Sequence, residues 1–284
     1  MSQSKNGIWG MVFYAAVLLA LIGLLCYGLV ASASAQEDSR TLPILMYHDI
    51  VPEGGLLDDY TASVAQLEAD LQALAQEGWQ TVRLSEVITY VRMGTPLPEK
   101  PVLLVFDDGY RSILTQVLPL LQKYNACAVV SVIGARAQGI ADGCDTAGQY
   151  MTWQELSQAV ASGRIELQSH SAQLHVYRTR KGVQLLPEET AQAYEAMLLS
   201  DMEQMDQWSR AAGITMLRAF AYPYGYVEPL ADALLQQQGY VATMTSEPHL
   251  NLITHDAACL YRLGRLNRSG LISTETLMAW LREE

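Results

Sequence analysis

Short apolar runs alternate along this chain with longer segments in which apolar residues recur every three or four positions. Runs of the first kind are typical of buried strands, and the longer periodic segments are typical of helices that pack one face against a core. The predicted strands are residues 44–48, 81–84, 102–107, 126–133, 165–169, 220–224 and 240–245. The predicted helices are residues 65–77, 85–93, 113–124, 152–161, 187–212 and 229–238.

The alternation of strand and helix predicts the fold class. Strands that are apolar along nearly their whole length must be covered on both faces, which favours a parallel sheet enclosed by helices. No internal repeat and no second linker interrupts the pattern. A single α/β domain of about seven strand–helix units is therefore expected.

Composition and charge narrow the function classes. The chain is 50% hydrophobic and 17% charged, which excludes a disordered or low-complexity protein. Its net charge of −12 argues against a nucleic-acid partner, because phosphate binding needs a basic face. Four cysteines are too few for a disulfide scaffold of this length. Cys127 is expected to be a buried thiol, whereas Cys144 and Cys259 lie in loop-like sequence and could pair.

The first 35 residues carry a membrane-entry signal. Residues 8–31 are uncharged and largely apolar, and as a helix they would span the roughly 30 Å of bilayer hydrocarbon. Residues 33–35 have the small-residue pattern of a signal-peptidase site, so cleavage after Ala35 is the alternative to a retained membrane anchor. Both alternatives place the remainder outside the cytoplasm. Residues 36–42 are then a linker, and residues 43–284 are the folded domain.

Polar residues that a buried strand does not require follow several predicted strands. In a barrel of parallel strands, the loops at the carboxyl ends converge on one cavity, where catalytic groups lie. The polar groups are Tyr47-His48-Asp49, Asp107-Asp108-Gly109-Tyr110, Ser169-His170-Ser171 and Tyr222-Pro223-Tyr224-Gly225.

The adjacent carboxylates Asp107 and Asp108 predict a nearby cation, because two acids at the end of a buried strand repel each other and are costly to desolvate. His170 and His175 are five positions apart, too far for one helix face, so a loop must present them. With Asp108 they would supply one oxygen and two nitrogens and leave other positions open, as a catalytic metal site requires. The alternative is an ordinary Asp-Asp-Gly turn beside histidines that bind no metal.

These segments resemble a known family. Phe-Asp-Asp-Gly-Tyr at 106–110, Ser-His-Ser at 169–171 with His175, and Phe-Ala-Tyr-Pro-Tyr-Gly at 220–225 resemble the motifs of the polysaccharide deacetylases, the NodB-homology domain of carbohydrate esterase family 4. The resemblance extends over residues 43–268. It implies a distorted (β/α)7 TIM-like barrel and metal-dependent removal of N-acetyl groups from an extracytoplasmic polysaccharide that contains N-acetylglucosamine.

The resemblance also implies a role for each site residue. Asp107 becomes the general base, and the backbone N–H of Tyr224 helps to bind the oxyanion. Asp108, His170 and His175 become the ligands of a divalent metal, with zinc as the expected ion. The five-residue spacing of the two metal histidines resembles the branch that acts on poly-N-acetylglucosamine. In that branch an amino-terminal histidine resembles the general acid, which here is His48.

One departure from the family pattern bears on the mechanism. Ala221 stands where many members carry the arginine that supports the base, and Arg218 and Arg265 are the possible substitutes. The missing arginine leaves open a glycan-binding domain with weak or no turnover. An esterase that removes O-acetyl groups is a further alternative, because the same chemistry serves either acyl bond. Tyr110, Tyr222 and Tyr224 are the expected platforms for sugar rings.

Overall fold

The computed structural model describes residues 39–139, 148–178 and 180–282. The predicted signal peptide or membrane anchor, residues 1–35, lies outside these ranges, as does Cys144. Within the described ranges no helix is both long and apolar enough to cross a membrane. Cys127 is a buried free thiol, as predicted, and Cys259 is a partly buried free thiol.

The described residues contain twelve strands and eight α-helices. The strands are β1 Arg40–Leu42, β2 Ile44–Tyr47, β3 Asp49–Val51, β4 Thr61–Ser63, β5 Gln80–Thr81, β6 Pro101–Asp108, β7 Ala128–Val132, β8 Ile165–Ser169, β9 Ala219–Ala221, β10 Ala242–Met244, β11 Asn251–Ile253 and β12 Leu266–Asn267. The helices are α1 Val64–Gln76, α2 Leu84–Met93, α3 Leu118–Lys123, α4 Gly134–Ala137, α5 Trp153–Ala161, α6 Ala191–Ala211, α7 Pro229–Gln237 and α8 Thr274–Trp280. A π-helical turn, Ile113–Val117, leads into α3.

A parallel sheet forms the centre of the domain. Its strand order is β10-β9-β8-β7-β6-β2-β12, and β5 pairs with the first two residues of β6. Every residue of β6 and β7 is buried, which requires cover on both faces of the sheet. The prediction of an α/β fold built on a parallel sheet is therefore confirmed.

Strand β6 separates two layers of core. Successive side chains of a strand point to opposite faces. Leu104 and Phe106 accordingly pack in the core that contains the buried residues of α1 and α5, whereas Leu103 and Val105 pack in a second core with the alanines of β9. Asp107 has the same parity as Leu103 and Val105, so its carboxylate lies above the second core.

The two edges of the sheet are joined by residues 263–267, which we call the closing segment. Its first residue, Leu263, forms a parallel bridge with Met244 of β10. Its last two residues are β12, which pairs with β2 at the other edge of the sheet. Arg265 lies between these two pairings, at the point where the segment passes from one edge to the other.

The predicted linker ends earlier than expected. Residues 36–42 were assigned to it, but Arg40–Leu42 form β1, which pairs antiparallel with β11. Leu42 is fully buried in the second core. The small and polar residues before Arg40 gave no indication that a strand of three residues begins there.

Candidate active site and metal centre

The predicted site residues lie together at the carboxyl ends of the sheet strands. Asp107 and Asp108 end β6, His170 follows β8, and His48 follows β2. All four, with His175 and Tyr224, line one cavity of about 590 Å³. The arrangement therefore has the convergent geometry that the strand-end pattern predicts.

Asp108 faces both candidate metal histidines. Its Oδ1 lies 3.7 Å from Nε2 of His170 and 3.5 Å from Nε2 of His175. The same oxygen is buried and has no hydrogen-bond partner among the described residues, while Oδ2 accepts a 2.9 Å bond from Arg136. Two ligand atoms about 2.1 Å from a tetrahedral ion are roughly 3.4 Å apart. The spacing and the unpaired oxygen both fit a divalent cation.

The backbone of Asp108 explains how adjacent acids reach one cavity. Asp108 has a φ of 71°, which turns the chain at the end of β6, and Gly109 follows with a φ of 81°. This break in the strand alternation lets both carboxylates line the cavity. A left-handed conformation at a residue other than glycine is strained, and such strain concentrates at functional sites.

His170 is oriented by the neighbouring strand. Its Nδ1 lies 2.8 Å from the carbonyl oxygen of Ala221 in β9. Because a carbonyl only accepts, Nδ1 carries a proton, and Nε2 is the ring nitrogen that faces Asp108. The ring of His175 packs against His170 and Tyr224, and burial, with His170, lowers the pKa of His175 to about 3. Both imidazoles thus have the nitrogen that a metal requires.

A buried carboxylate holds the loop between the two histidines. Asp201, on α6, accepts hydrogen bonds of 2.8 and 2.7 Å from the backbone N–H groups of Ala172 and Gln173. Burial raises the pKa of Asp201 to about 6, against the effect of these backbone donors. The loop that separates His170 from His175 is therefore held in place by hydrogen bonds to α6.

Arg265 supplies the cation that Ala221 cannot. Its Nη1 lies 2.8 Å from both oxygens of Asp107, and its Nε donates to the carbonyl of Thr245. Both partners of the ion pair are almost fully buried. Burial alone would raise the pKa of Asp107, but the Arg265 guanidinium, together with His170, His48 and a hydrogen bond from Ser131, outweighs it and holds that pKa well below its usual range. Arg218, the other possible substitute, instead pairs with Asp206 at the surface.

His48 lies on another wall of the cavity. Its Nδ1 is buried and has no hydrogen-bond partner in the described part of the chain, and its ring meets Tyr60 edge-on at 4.9 Å. Burial lowers the pKa of His48, although Asp107 and Asp108 oppose this. The lowered pKa favours the neutral imidazole, which can act as an acid only after it takes up a proton.

Tyr224 occupies a tight turn after β9. It has a φ of 59°, and Gly225 follows at 71°. A Cβ atom at Gly225 would overlap Ser246, so only glycine fits at that position. The ring of Tyr224 is partly exposed in the cavity, whereas Tyr222 is fully buried and donates its hydroxyl hydrogen bond to Asp232. The expectation that Tyr222 is a sugar platform is therefore wrong.

Two functional side chains were not identified from the sequence. Arg136 follows β7 and binds Asp108, so the strand-end pattern could have included it. Asp201 lies on the buried stripe of α6, with Leu198 and Met205. A carboxylate on an apolar helix face requires partners, which was the available signal.

Known proteins are similar to this chain in sequence and in fold. The family model for polysaccharide deacetylase matches residues 94–243, more than half of the chain. The poly-beta-1,6-N-acetyl-D-glucosamine N-deacetylase of Escherichia coli K12 is 28% identical over 227 residues, which cover 72% of this chain and 34% of that protein. The chain therefore spans about a third of the length of that relative.

Solved structures agree with the fold. IcaB from Ammonifex degensii is 27% identical and matches with a TM-score of 0.69, over 86% of this chain and 97% of that one. A de-N-acetylase from Aggregatibacter actinomycetemcomitans has a TM-score of 0.74 at 21% identity, over 84% of this chain and 99% of that one, and supports the fold alone. The matched segment 94–243 contains Asp107, both candidate metal histidines and Tyr224. With these residues gathered on one cavity, the chain belongs to the polysaccharide deacetylase family of hydrolases.

Proposed function

We propose that the chain is a metal-dependent hydrolase that removes N-acetyl groups from a polysaccharide of the poly-N-acetylglucosamine type. The observation that carries this proposal is the convergence of Asp108, His170 and His175 on one buried point, with the ionised Asp107 beside it. The substrate class rests on the similarity to the Escherichia coli relative. The products are acetate and a free amine on the polymer.

The donor set favours zinc among the divalent ions. Two imidazole nitrogens and one carboxylate oxygen suit zinc better than magnesium or calcium, which prefer oxygen alone. Bound there, the ion would polarise the acyl carbonyl and lower the pKa of water. The remaining steps belong to the side chains around it.

Asp107 is the general base in this proposal. Arg265 keeps its carboxylate ionised and fixes its orientation, so Asp107 accepts a proton as water attacks the amide carbon. The leaving nitrogen must then gain a proton. His48 lines the same cavity, and its buried Nδ1 has no hydrogen-bond partner among the described residues. Once it has taken up a proton from solvent, it is the candidate to deliver that proton to the leaving nitrogen, and Asp107 afterwards returns its own proton to solvent. The backbone N–H of Tyr224, at the tip of its turn, is the proposed donor to the oxyanion.

The location of the reaction is also a proposal. The apolar residues 8–31 favour export, with the catalytic domain outside the cytoplasm and either tethered to the membrane or released after Ala35. An extracytoplasmic position would give the domain access to a cell-surface polysaccharide.

Acetate release tests the proposal. The protein, loaded with zinc, should release acetate from a β-1,6-linked N-acetylglucosamine pentasaccharide, and a chelator should stop the reaction. His170→Ala should lose both the bound zinc and the activity. Absence of acetate from the zinc-loaded protein, or full activity after complete metal removal, would refute the proposal.

Two alternative functions can be distinguished from this proposal. The arginine missing at Ala221 favours a glycan-binding domain with weak turnover, but Arg265 removes that argument because it pairs with the base. Comparing an O-acetylated with an N-acetylated oligosaccharide decides between esterase and amidase. Hydrolysis of the O-acetylated oligosaccharide, without hydrolysis of the N-acetylated one, would identify an esterase.

A further inference from the structure

Exposed aromatic rings concentrate at the mouth of the active-site cavity. Among the described residues, four large aromatic side chains are exposed, and all of them are tyrosines. They are Tyr60, Tyr177, Tyr224 and Tyr226, which are 37–59% exposed. Tyr60 and Tyr224 line the cavity itself. Solvent-exposed aromatic surface that is confined to one place marks a binding surface.

Three of these tyrosines form a continuous surface that begins at a candidate metal ligand. The Tyr224 ring lies 4.4 Å from the His175 ring, and the Tyr177 ring meets Tyr224 edge-on at 5.2 Å. Lys181 joins Tyr226 to them, since its Nζ lies 4.6 Å from the Tyr177 ring and 5.3 Å from the Tyr226 ring. We call Tyr177, Tyr224 and Tyr226 the tyrosine wall.

The tyrosine wall is held in place before any ligand arrives. Tyr177 and Lys181 form an antiparallel bridge, and the N–H of Gly182 donates to the carbonyl of Val176. Gly182 packs so closely on Pro223 that a Cβ there would lie 2.9 Å from its carbonyl oxygen. Gly182 therefore lies against the turn that carries Tyr224, and Tyr177 is joined to it through the bridge with Lys181. A preordered surface loses little entropy on binding.

The chemistry of the wall fits a neutral sugar chain. Pyranose rings present apolar C–H faces edged by hydroxyls, and tyrosine offers an apolar ring with a polar tip. The surface extends outward from the point where the acetyl group would react, so its occupant is a neighbouring unit of the same chain. Because the wall starts at His175, that unit is close to the reacting one.

We propose that the tyrosine wall is a subsite for the N-acetylglucosamine units next to the one being hydrolysed, with Tyr177 as its central platform. This inference rests on the proposed function for the identity of the sugar. It predicts that long oligosaccharides gain from the wall and that short ones gain little.

The first test compares substrate lengths. kcat/KM for acetate release is measured on the N-acetylglucosamine monosaccharide, which has no neighbouring unit, and on the β-1,6-linked pentasaccharide, with the wild type, Tyr177→Leu and Tyr177→Phe. Tyr177→Leu should lower the pentasaccharide value about tenfold and change the monosaccharide value by less than about twofold. Tyr177→Phe is the matched control and should retain the wild-type preference, because the ring and not the hydroxyl stacks on the sugar.

The second test does not depend on turnover. Titration calorimetry of the metal-free protein with the same pentasaccharide should give a Kd that rises about tenfold in Tyr177→Leu and stays near wild type in Tyr177→Phe. If the wild type releases no acetate but this pattern holds, the proposed function fails and the subsite stands. Equal losses on both substrates, no loss on either, or pentasaccharide binding that is absent or insensitive to Tyr177 would overturn the subsite.

Discussion

Two buried arginine–aspartate pairs lie on either side of β12, and only one of them opens onto the active site. Arg268 binds Asp70 through two nitrogens, and Asp70 also accepts hydroxyl hydrogen bonds from Tyr47 and Thr274. Arg265, three residues earlier, pairs with Asp107 at the edge of the cavity. The carboxylate of the first pair has hydrogen-bond partners on both of its oxygens, whereas the second pair lies beside buried atoms that have no partner among residues 39–139, 148–178 and 180–282.

The difference separates stability from catalysis. A buried ion pair whose hydrogen bonds are all satisfied joins elements and has no capacity for another ligand. Asp70 lies on α1 and Thr274 on α8, so the Arg268 pair ties these helices to the residue that directly follows the closing segment. Beside the Arg265 pair, Oδ1 of Asp108 and Nδ1 of His48 are buried and have no hydrogen-bond partner in the part of the chain that the structure describes. Similar residues thus support the fold in one place and leave bonding capacity for a substrate in the other.

Removal of the negative charge of Asp107, the proposed base at the cavity, should have the largest effect. Asp107→Asn keeps an oxygen that accepts from Arg265 but cannot take a proton, so kcat of the folded protein should fall by about 10³ while its zinc content changes little. Because the buried Arg265 loses its counter-charge, Tm should fall as well. Acetate release with metal analysis checks this. Retention of most of the activity would show that another group acts as the base.

The Arg268–Asp70 pair should respond in stability instead. Arg268→Met leaves the Asp70 carboxylate buried without its counter-charge, which should cost about 3–5 kcal/mol in the free energy of unfolding. Urea denaturation measures the loss, and kcat of the folded fraction should remain close to wild type. The double variant Asp70→Leu/Arg268→Met should recover much of the stability; if it does not, the pair is not the cause.

Arg265→Met is the counterpart of Arg268→Met in the pair that borders the cavity, and it should alter the pH profile of activity. Without the guanidinium, burial raises the pKa of Asp107, so a larger fraction of the base is protonated at a given pH. The acid limb of kcat/KM should move to higher pH, and activity at neutral pH should fall about tenfold or more. Arg268→Met is the control and should leave the limb in place. An unshifted limb in Arg265→Met would exclude this role.

The smallest of these effects should come from the helix that holds the histidine loop. Asp201→Asn replaces a carboxylate that accepts two backbone hydrogen bonds with an amide that has one acceptor oxygen. The loop between His170 and His175 loosens, and zinc affinity should fall about tenfold. Competition with a chelator measures the affinity. Unchanged affinity would mean that the loop keeps its form without Asp201.

The central strands could be predicted because burial on both faces leaves a nearly continuous apolar run. Residues 165–169 match β8 exactly as predicted, and residues 102–107 differ from β6 by one residue at each end. The two-residue strand β12 was missed because a run so short, between two arginines, has no period to read. Its position follows only from pairing across the sheet.

The metal and base residues could be proposed because acids and histidines at strand ends are unusual in a buried sheet. The partner of Asp107 could not be predicted, because nothing in the linear sequence distinguishes Arg218 from Arg265. Only the three-dimensional path of the closing segment distinguishes them: Arg265 enters the interior, and Arg218 remains with Asp206 at the surface. The tyrosine wall depends in the same way on contacts between separate loops.

The closing segment has a consequence for the order in which a newly made chain becomes active. Asp107 and Arg265 are 158 positions apart, so synthesis completes the carboxylate long before its guanidinium partner exists. Until residues 263–267 join the two edges, the base lacks the positive charge that keeps it ionised. A segment that synthesis adds late thus also supplies the group that readies the base for hydrolysis, and a chain cut short before this point would lack it.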